Sequence, residues 1–195
     1  MSLSRQQLTL VGIFALFIGP VILVILMRSS WWQYQPSGLK NLGHLVQPPV
    51  HLALDQTSGM DGRWLILYVL DQPCDQKCMD NVTALRQIHR ATGRKGEHLA
   101  IVLLSETPTE PALRSRLEAV YPEFAFAYDA DKTVMTALES VNAKLAIDPV
   151  NSNHIHTYVL DPMLNVILAY GVDANPNDLH KDLKRLLKWA DQESR

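Results

Sequence analysis

The sequence lacks the features that mark several large protein classes. Its 18 Lys and Arg against 20 Asp and Glu leave a formal net charge of −2, whereas a nucleic-acid-binding domain usually carries a basic stripe. It has no internal repeat, low-complexity tract or acidic tail. It also has neither a nucleophile elbow nor a Gly-rich phosphate loop. A hydrolase triad and a nucleotide-phosphate site are therefore not indicated.

Cysteine is scarce, and the few cysteines lie close together. The chain of 195 residues has only two, Cys74 and Cys78, within the segment DQPCDQKCMD. Any disulfide or thiolate metal site must therefore use this pair. From the spacing alone, the pair is a redox couple, a metal site, a structural disulfide or two unrelated thiols.

Charge is absent from a long segment near the amino terminus. LTLVGIFALFIGPVILVILM, Leu8–Met27, has Thr9 as its only polar residue. As a helix it would cross a hydrocarbon core of roughly 30 Å, and it has no polar face of the kind that a soluble helix shows. We expect a transmembrane anchor over 8–28 after a short tail over 1–7. The alternative, a cleaved signal peptide, is disfavoured because LMRSSWW is a poor cleavage site.

The basic residues that flank this segment indicate its orientation only weakly. Arg5 lies before it, and Arg28 and Lys40 lie after it, so the positive-inside count is nearly balanced. The short tail favours an amino terminus inside. We expect a single-pass protein whose carboxyl-terminal domain lies outside. In a bacterial-type envelope this would be the inner membrane with the domain in the periplasm, where cysteines can be oxidised or hold metal.

The rest of the chain predicts a tether followed by one α/β domain. Residues 29–61 are rich in Pro, Gly and polar residues, with a possible short strand near Val50–Leu54. Residues 62–192 then alternate apolar strands with amphipathic helices and close with a hairpin joined at Asp161–Asn165. This order is typical of the thioredoxin-like three-layer fold, with a mainly parallel sheet and a closing hairpin.

The cysteine pair follows one of the predicted central strands. RWLILYVL, Arg63–Leu70, is a buried apolar run, and Cys74 comes just after it at the start of a predicted helix. Reactive groups in such sheets gather beyond the carboxyl ends of the strands. Because the partial positive charge of a helix amino terminus stabilises a thiolate, we expect Cys74 to be the reactive thiol. Cys78 shares its helix face four residues on, so the sulfurs can form a disulfide or chelate one ion.

Two histidines before the closing hairpin are candidate metal ligands. NSNHIHTYVLDP contains His154 and His156, of which only one need be involved. Two thiolates with one imidazole suit Cu(I), and zinc less specifically. From the residues alone, the metal-site hypothesis is therefore Cys74 and Cys78 with either His154 or His156. The alternative is that these histidines are solvated side chains.

The last predicted helix carries a set of basic residues with two interpretations. The set consists of Lys181, Lys184, Arg185 and Lys188. A solvated helix face accounts for it, and contact with anionic lipid or a membrane partner is the alternative.

These motifs together resemble a known group of proteins. GRWLILYVLDQPCDQKC resembles the strand–C-x-x-x-C–helix segment of the Sco/SenC family, which comprises membrane-anchored, thioredoxin-like copper chaperones for cytochrome c oxidase. The W-x-x-x-Y strand, the YVLDPMLNVILAYG hairpin and the LHKDLKRLLKW ending are similar to small single-span proteins of the cytochrome oxidase assembly group in proteobacteria. The resemblance covers most of residues 42–190.

The resemblance carries over residue by residue, with departures. Cys74 and Cys78 match the metal or redox cysteines of the Sco family. Asp75 and Met79 depart from the residues that usually follow those cysteines. The position of the family's histidine is taken here by Asn153, with His154 one residue later. Either a shift of one residue in the loop supplies His154 as the third ligand beside Cys74 and Cys78, with His156 as the fallback, or this branch has lost copper binding. In the second case it has kept only the thiol chemistry, or neither.

The resemblance implies a role in cytochrome c oxidase biogenesis. The expected activity is Cu(I) delivery or thiol–disulfide exchange with a copper-receiving subunit, with an oxidase subunit or another assembly factor as partner. Two alternatives remain from the sequence. One is a noncatalytic membrane assembly factor with a structural disulfide, and the other is a general thiol–disulfide oxidoreductase.

Overall fold

The computed structural model describes residues 5, 14–22, 26, 41–54, 60, 62–70, 73–145, 155–171 and 173–193, with side chains up to residue 188. The chain divides into two compact units, Met1–Lys40 and Asn41–Arg195. Each unit is described by itself.

The first unit contains much of the predicted anchor. Residues 14–22 are helical, and the large apolar side chains there are exposed; Leu16, for example, is 74% exposed. Most of the remaining residues of the expected anchor, 8–28, lie outside the described residues. Among the residues that are described, no helix is both long enough and apolar enough to cross a membrane.

The second unit is built from six strands and four α-helices within its described residues. The strands are β1 (His44–His51), β2 (Trp64–Val69), β3 (Leu99–Ser105), β4 (Ala125–Tyr128), β5 (Ile155–Leu160) and β6 (Asn165–Gly171). The helices are α1 (Gln76–Ala91), α2 (Pro111–Val120), α3 (Thr133–Lys144) and α4 (Pro176–Glu193). A 3₁₀ helix at Gly93–His98 joins α1 to β3.

The strands form one mixed sheet in the order β1-β6-β5-β2-β3-β4. Only the β2–β3 and β3–β4 pairs are parallel, whereas β1–β6, β6–β5 and β5–β2 are antiparallel. The prediction of a mainly parallel sheet is therefore wrong. The reason is that the closing hairpin joins the sheet beside β2 and then pairs with β1, so it contributes to three antiparallel pairs.

Strand β1 lies within the segment for which the sequence predicted a tether. The expected short strand near Val50–Leu54 is a longer one that begins at His44 and pairs with β6. Leu52 and Leu54, which follow it, are buried in the core. This part of 29–61 is therefore structured as an edge of the sheet.

A hydrophobic core lies on each face of the sheet. On one face, α1, α2 and α4 cover the sheet and contribute Leu85, Leu117 and Leu183, among others. On the other face, α3 contributes Leu138 and packs with Leu52. Because both cores lie within Asn41–Arg195, this unit has the hydrophobic interior that an independent domain needs.

Candidate functional site: a disulfide at the start of α1

The cysteine segment begins where β2 ends. The N–H of Leu70 donates to the carbonyl of Leu104 at 2.7 Å, which holds the chain against β3 one residue past β2. Pro73 and Cys74 follow, and α1 begins at Gln76. The structure thus confirms the predicted position of Cys74 between the carboxyl end of a central strand and the start of a helix.

Cys74 and Cys78 form a disulfide, with their Cα atoms 5.3 Å apart. Cys74 precedes the helix and Cys78 lies in its first turn, so the spacing of four residues brings the sulfurs together as the sequence predicted. Both residues belong to the core on the α1 face. Cys74 is 8% exposed and Cys78 3%, so both side chains are buried.

Asp75 caps the amino terminus of α1 between the two cysteines. Its backbone is extended, and its Oδ1 accepts the N–H of Cys78 at 2.8 Å. The carbonyl of Asp75 accepts the N–H of Met79 at 3.0 Å, which starts the helical pattern. A side-chain cap of this kind satisfies a backbone donor that otherwise has no partner. The cap fixes the first turn of α1 and therefore the position of the Cys78 sulfur.

A cavity of about 340 Å³ opens beside Cys74. Its lining consists of Pro73, Cys74, Glu110, Ala112, Leu113 and Arg116. The first two residues come from the cysteine segment, Glu110 precedes α2, and the last three lie in the first two turns of that helix. Cys78 does not line this cavity. The cavity therefore gives an incoming group access to the disulfide from the Cys74 side. Its wall combines apolar Ala112 and Leu113 with charges of both signs.

Lys77, which lies between the two cysteines in the first turn of α1, contacts an acid in another loop. Its Nζ lies 2.6 Å from Oδ1 of Asp173, and both side chains are largely exposed. An exposed ion pair of this kind contributes little stability. It links the first turn of α1 to the loop before α4.

Only one of the two candidate histidine ligands, His156, is among the described residues. His154 lies outside the described residues. His156 is described, and its Nδ1 lies 3.3 Å from the carbonyl oxygen of Val69. It lines a separate cavity of about 340 Å³ together with Met135 and Leu138 of α3. The structure therefore does not bring His156 and the cysteines to one cavity.

The described part of the chain contains no group of three or more His, Cys, Asp or Glu side chains arranged to hold a metal ion. Both sulfurs are bonded to each other in this oxidised form. Only the reduced pair could supply the two thiolates that the sequence hypothesis requires.

Sequence reasoning missed two parts of the site. The first is the cap at Asp75, although an acidic residue just before an amphipathic helix is a common capping signal. The second is the wall of the cavity that α2 provides through Leu113 and Arg116. No local sequence signal identifies that wall, because it depends on how α2 packs beside the cysteine segment.

Solved structures of similar fold include two Sco proteins. The SCO1/SenC family lipoprotein from Bacillus anthracis matches with a TM-score of 0.52 and 16% identity, over 72% of this chain and 98% of that one. Yeast Sco1 with copper bound matches with a TM-score of 0.50 and 15% identity, over 66% and 80% of the respective chains. These likenesses confirm the thioredoxin-like fold that the sequence predicted. No curated protein matches the chain in sequence.

A family model also matches the chain, over residues 64–190. Its description is transmembrane-like, thioredoxin-like, C-terminal domain. The match begins at the first residue of β2, includes the disulfide and the hairpin, and ends within α4. The chain therefore belongs to this transmembrane-like, thioredoxin-like family.

Proposed function

We propose that this protein is a thiol–disulfide exchange factor whose reactive sulfur is that of Cys74. The observation that carries the proposal is the asymmetry of the disulfide. Cys74 lines an open cavity, whereas Cys78 lies in the first turn of α1 and outside that cavity. An incoming sulfur therefore has a path to Cys74 Sγ. The sulfur of Cys78 is the resolving group.

The exchange needs no group beyond the two cysteines and a client pair. In the reduced protein, the Cys74 thiolate attacks a client disulfide, forms a mixed disulfide and displaces one client thiolate. The Cys78 thiolate then attacks Cys74 Sγ and releases the second client thiolate, which leaves the Cys74–Cys78 disulfide. The client gains two electrons and the protein loses two. An external dithiol reductant returns the protein to its reduced form by the reverse steps.

The proposed client is a copper-receiving subunit of cytochrome c oxidase, whose cysteines must be reduced before they bind copper. Support comes from the likeness in fold to the SCO1/SenC family lipoprotein together with the sequence resemblance to the oxidase assembly group. We propose that the segment 8–28 anchors the protein in the bacterial inner membrane with its domain in the periplasm. The description of the matching family as transmembrane-like supports the anchor.

The test is the rate at which the reduced full-length protein, in detergent micelles, reduces the disulfide of the purified oxidase subunit. We expect wild type to reduce it in a two-electron step, and Cys74→Ser to be inactive. Equal rates for wild type and the Cys74→Ser, Cys78→Ser variant would reject the proposal. If that double variant also supports oxidase assembly in cells, a noncatalytic factor with a structural disulfide is the better account. Equal reduction of unrelated disulfide proteins would instead identify a general oxidoreductase.

Delivery of Cu(I) is the second candidate function, with copper as the cargo. It is favoured by one observation, the similar fold of yeast Sco1, which was solved with copper bound. The reduced Cys74 and Cys78 thiolates would hold the ion, with His154 as the proposed third donor. Anaerobic Cu(I) titration of the reduced protein tests this, with His154→Ala and His156→Ala as matched variants. Tight one-to-one binding that only His154→Ala weakens supports the candidate, and the absence of tight binding removes it.

A further inference from the structure

A second cavity, of about 330 Å³, lies between the end of α1 and the middle of α4. Its polar lining is almost entirely basic and consists of Arg94, Lys95, His180, Lys184 and Lys188, with Thr92 as the only other polar residue. Ala91 and Leu187 supply apolar wall. Ala91 ends α1, whereas Cys78 lies in its first turn. The helical rise therefore separates this basic cleft from the disulfide by about 20 Å.

The basic residues of α4 divide into two groups. Those outside the cleft have acidic partners: Lys181 Nζ lies 3.4 Å from Asp178 Oδ1, and Arg185 Nη1 lies 3.1 Å from Asp182 Oδ1. Within the described residues, the two lysines inside the cleft, at positions 184 and 188, form no ion pair with a carboxylate. The cleft thus gathers the positive charge of this helix that the carboxylates among the described side chains leave unpaired.

The arrangement along α4 is unfavourable without an anion. Lys184 and Lys188 are spaced four residues apart, so they are neighbours on the helix surface, and like charges at this spacing destabilise a helix. Arg94 and Lys95 have a structural explanation, because cations just past the end of α1 complement its dipole. That explanation does not extend to two lysines in the interior of α4.

We propose that the basic cleft binds a phosphate-bearing anion. A phosphate group carries enough negative charge to compensate several cations at once, and its oxygens accept hydrogen bonds from both Lys and Arg. The volume lies within the range of small-ligand sites, roughly 300–1,000 Å³. The apolar wall at Ala91 and Leu187 fits the carbon atoms that adjoin the phosphate in a phosphate ester. The phosphate comes either from a soluble compound or from a lipid headgroup.

The experiment uses the full-length protein, labelled with ¹⁵N, in neutral detergent micelles. Inorganic phosphate is titrated at constant ionic strength against chloride, and in a second arm the micelles are doped with phosphatidylglycerol or, as the neutral counterpart, phosphatidylcholine. The test variant is Lys184→Gln, Lys188→Gln. The control variant, Lys144→Gln, Lys181→Gln, removes the same charge from exposed positions outside the cleft. The thermal midpoint of each variant verifies that it is folded.

We expect saturable shifts of the amide signals of 91–95 and 180–188 in at least one arm. The ligand concentration at half-saturation should rise about tenfold or more in the test variant, because two ionic contacts are lost. It should stay unchanged in the control variant. Saturation by inorganic phosphate identifies a soluble source, and saturation by phosphatidylglycerol alone identifies a lipid headgroup. The proposal is overturned if neither arm saturates or if both variants weaken binding equally.

Discussion

Tyr170 of β6 donates its hydroxyl hydrogen to Oδ2 of Asp182 on α4 at 2.9 Å. The same oxygen accepts the backbone N–H groups of Leu42 and Gly43, at 2.6 and 2.9 Å. The carboxylate is buried, with Asp182 2% exposed. One acidic side chain therefore joins the residues just before β1, the end of β6 and the α4 helix that packs over the sheet.

Removal of this carboxylate should destabilise the domain strongly. Asp182→Ala leaves a buried hydroxyl and two backbone donors without their acceptor, and we expect a loss of about 3–5 kcal/mol in the free energy of unfolding. Urea unfolding followed by tryptophan fluorescence measures it. Asp178→Ala, which breaks only the exposed pair with Lys181, is the control and should cost less than about 1 kcal/mol. Similar losses for both variants would contradict the role of Asp182.

Gly43 is required by the same junction. A Cβ atom at this position would collide with the ring of Tyr170, since it would lie only 2.6 Å from one ring carbon and 2.8 Å from the hydroxyl oxygen. We expect Gly43→Ala to lower the free energy of unfolding by about 1–3 kcal/mol through overpacking. The double variant Gly43→Ala, Tyr170→Ala should recover part of the collision cost in a double-mutant cycle. Strict additivity of the two changes would mean that the predicted collision does not occur.

The stability of the domain should fall in alkaline solution through a buried tyrosine. Burial raises the pKa of Tyr158 from 10.0 to about 12, and its hydroxyl donates to Asn142 Oδ1 at 2.9 Å. Between these two pH values the unfolded chain releases a proton that the folded protein keeps. The contribution of Tyr158 to the free energy of unfolding is therefore fully present below pH 10 and is lost toward pH 12.

The variant Tyr158→Phe isolates this contribution. Over that alkaline range, wild type should lose about 1.4 kcal/mol per pH unit relative to the variant. Urea unfolding at a series of pH values measures the difference. If the difference in the free energy of unfolding between wild type and variant stays constant with pH, Tyr158 titrates alike in the folded and unfolded states.

The cavity beside Cys74 should admit the client protein. Ala112 lines this cavity from α2 and is exposed, so Ala112→Trp fills it without disturbing the core. We expect at least a several-fold slower exchange with the oxidase subunit and also with a small dithiol such as dithiothreitol, because both reach Cys74 through this cavity. Ala119→Trp, on an exposed position of the same helix outside the cavity, is the control. Equal effects of the two variants on protein exchange would mean that the client approaches from another side.

Local sequence patterns predicted the parts of the fold that depend on local interactions. The hairpin is an example: Asp161 Oδ1 accepts the N–H groups of Met163 and Asn165, at 2.8 and 2.9 Å, and closes the turn between β5 and β6. The approach of Cys74 to Cys78 is another, because the first turn of a helix fixes it. Both features follow from residues that are close together in the chain.

Features that depend on distant pairing were not predictable in this way. β1 contains Pro48 and Pro49, which are typical of a loop in sequence. They are tolerated here because β1 is an edge strand of the described sheet, with a partner strand on one side only among the residues described. The placement of β5 beside β2 makes the sheet mixed, and no local pattern specifies that pairing. The cavity wall that α2 forms beside Cys74 has the same origin, because it depends on packing between segments that are far apart in sequence.

The most direct test of the proposed chemistry is to identify the sulfur that bonds to the client. Reduced full-length Cys78→Ser protein is mixed with the disulfide form of the copper-receiving oxidase subunit, the reaction is quenched with acid, and the products are mapped by mass spectrometry. We predict a stable mixed disulfide through Cys74, because the resolving thiol is absent, and none through Cys78 in the matched Cys74→Ser protein. A mixed disulfide through Cys78, or none in either variant, would contradict the account.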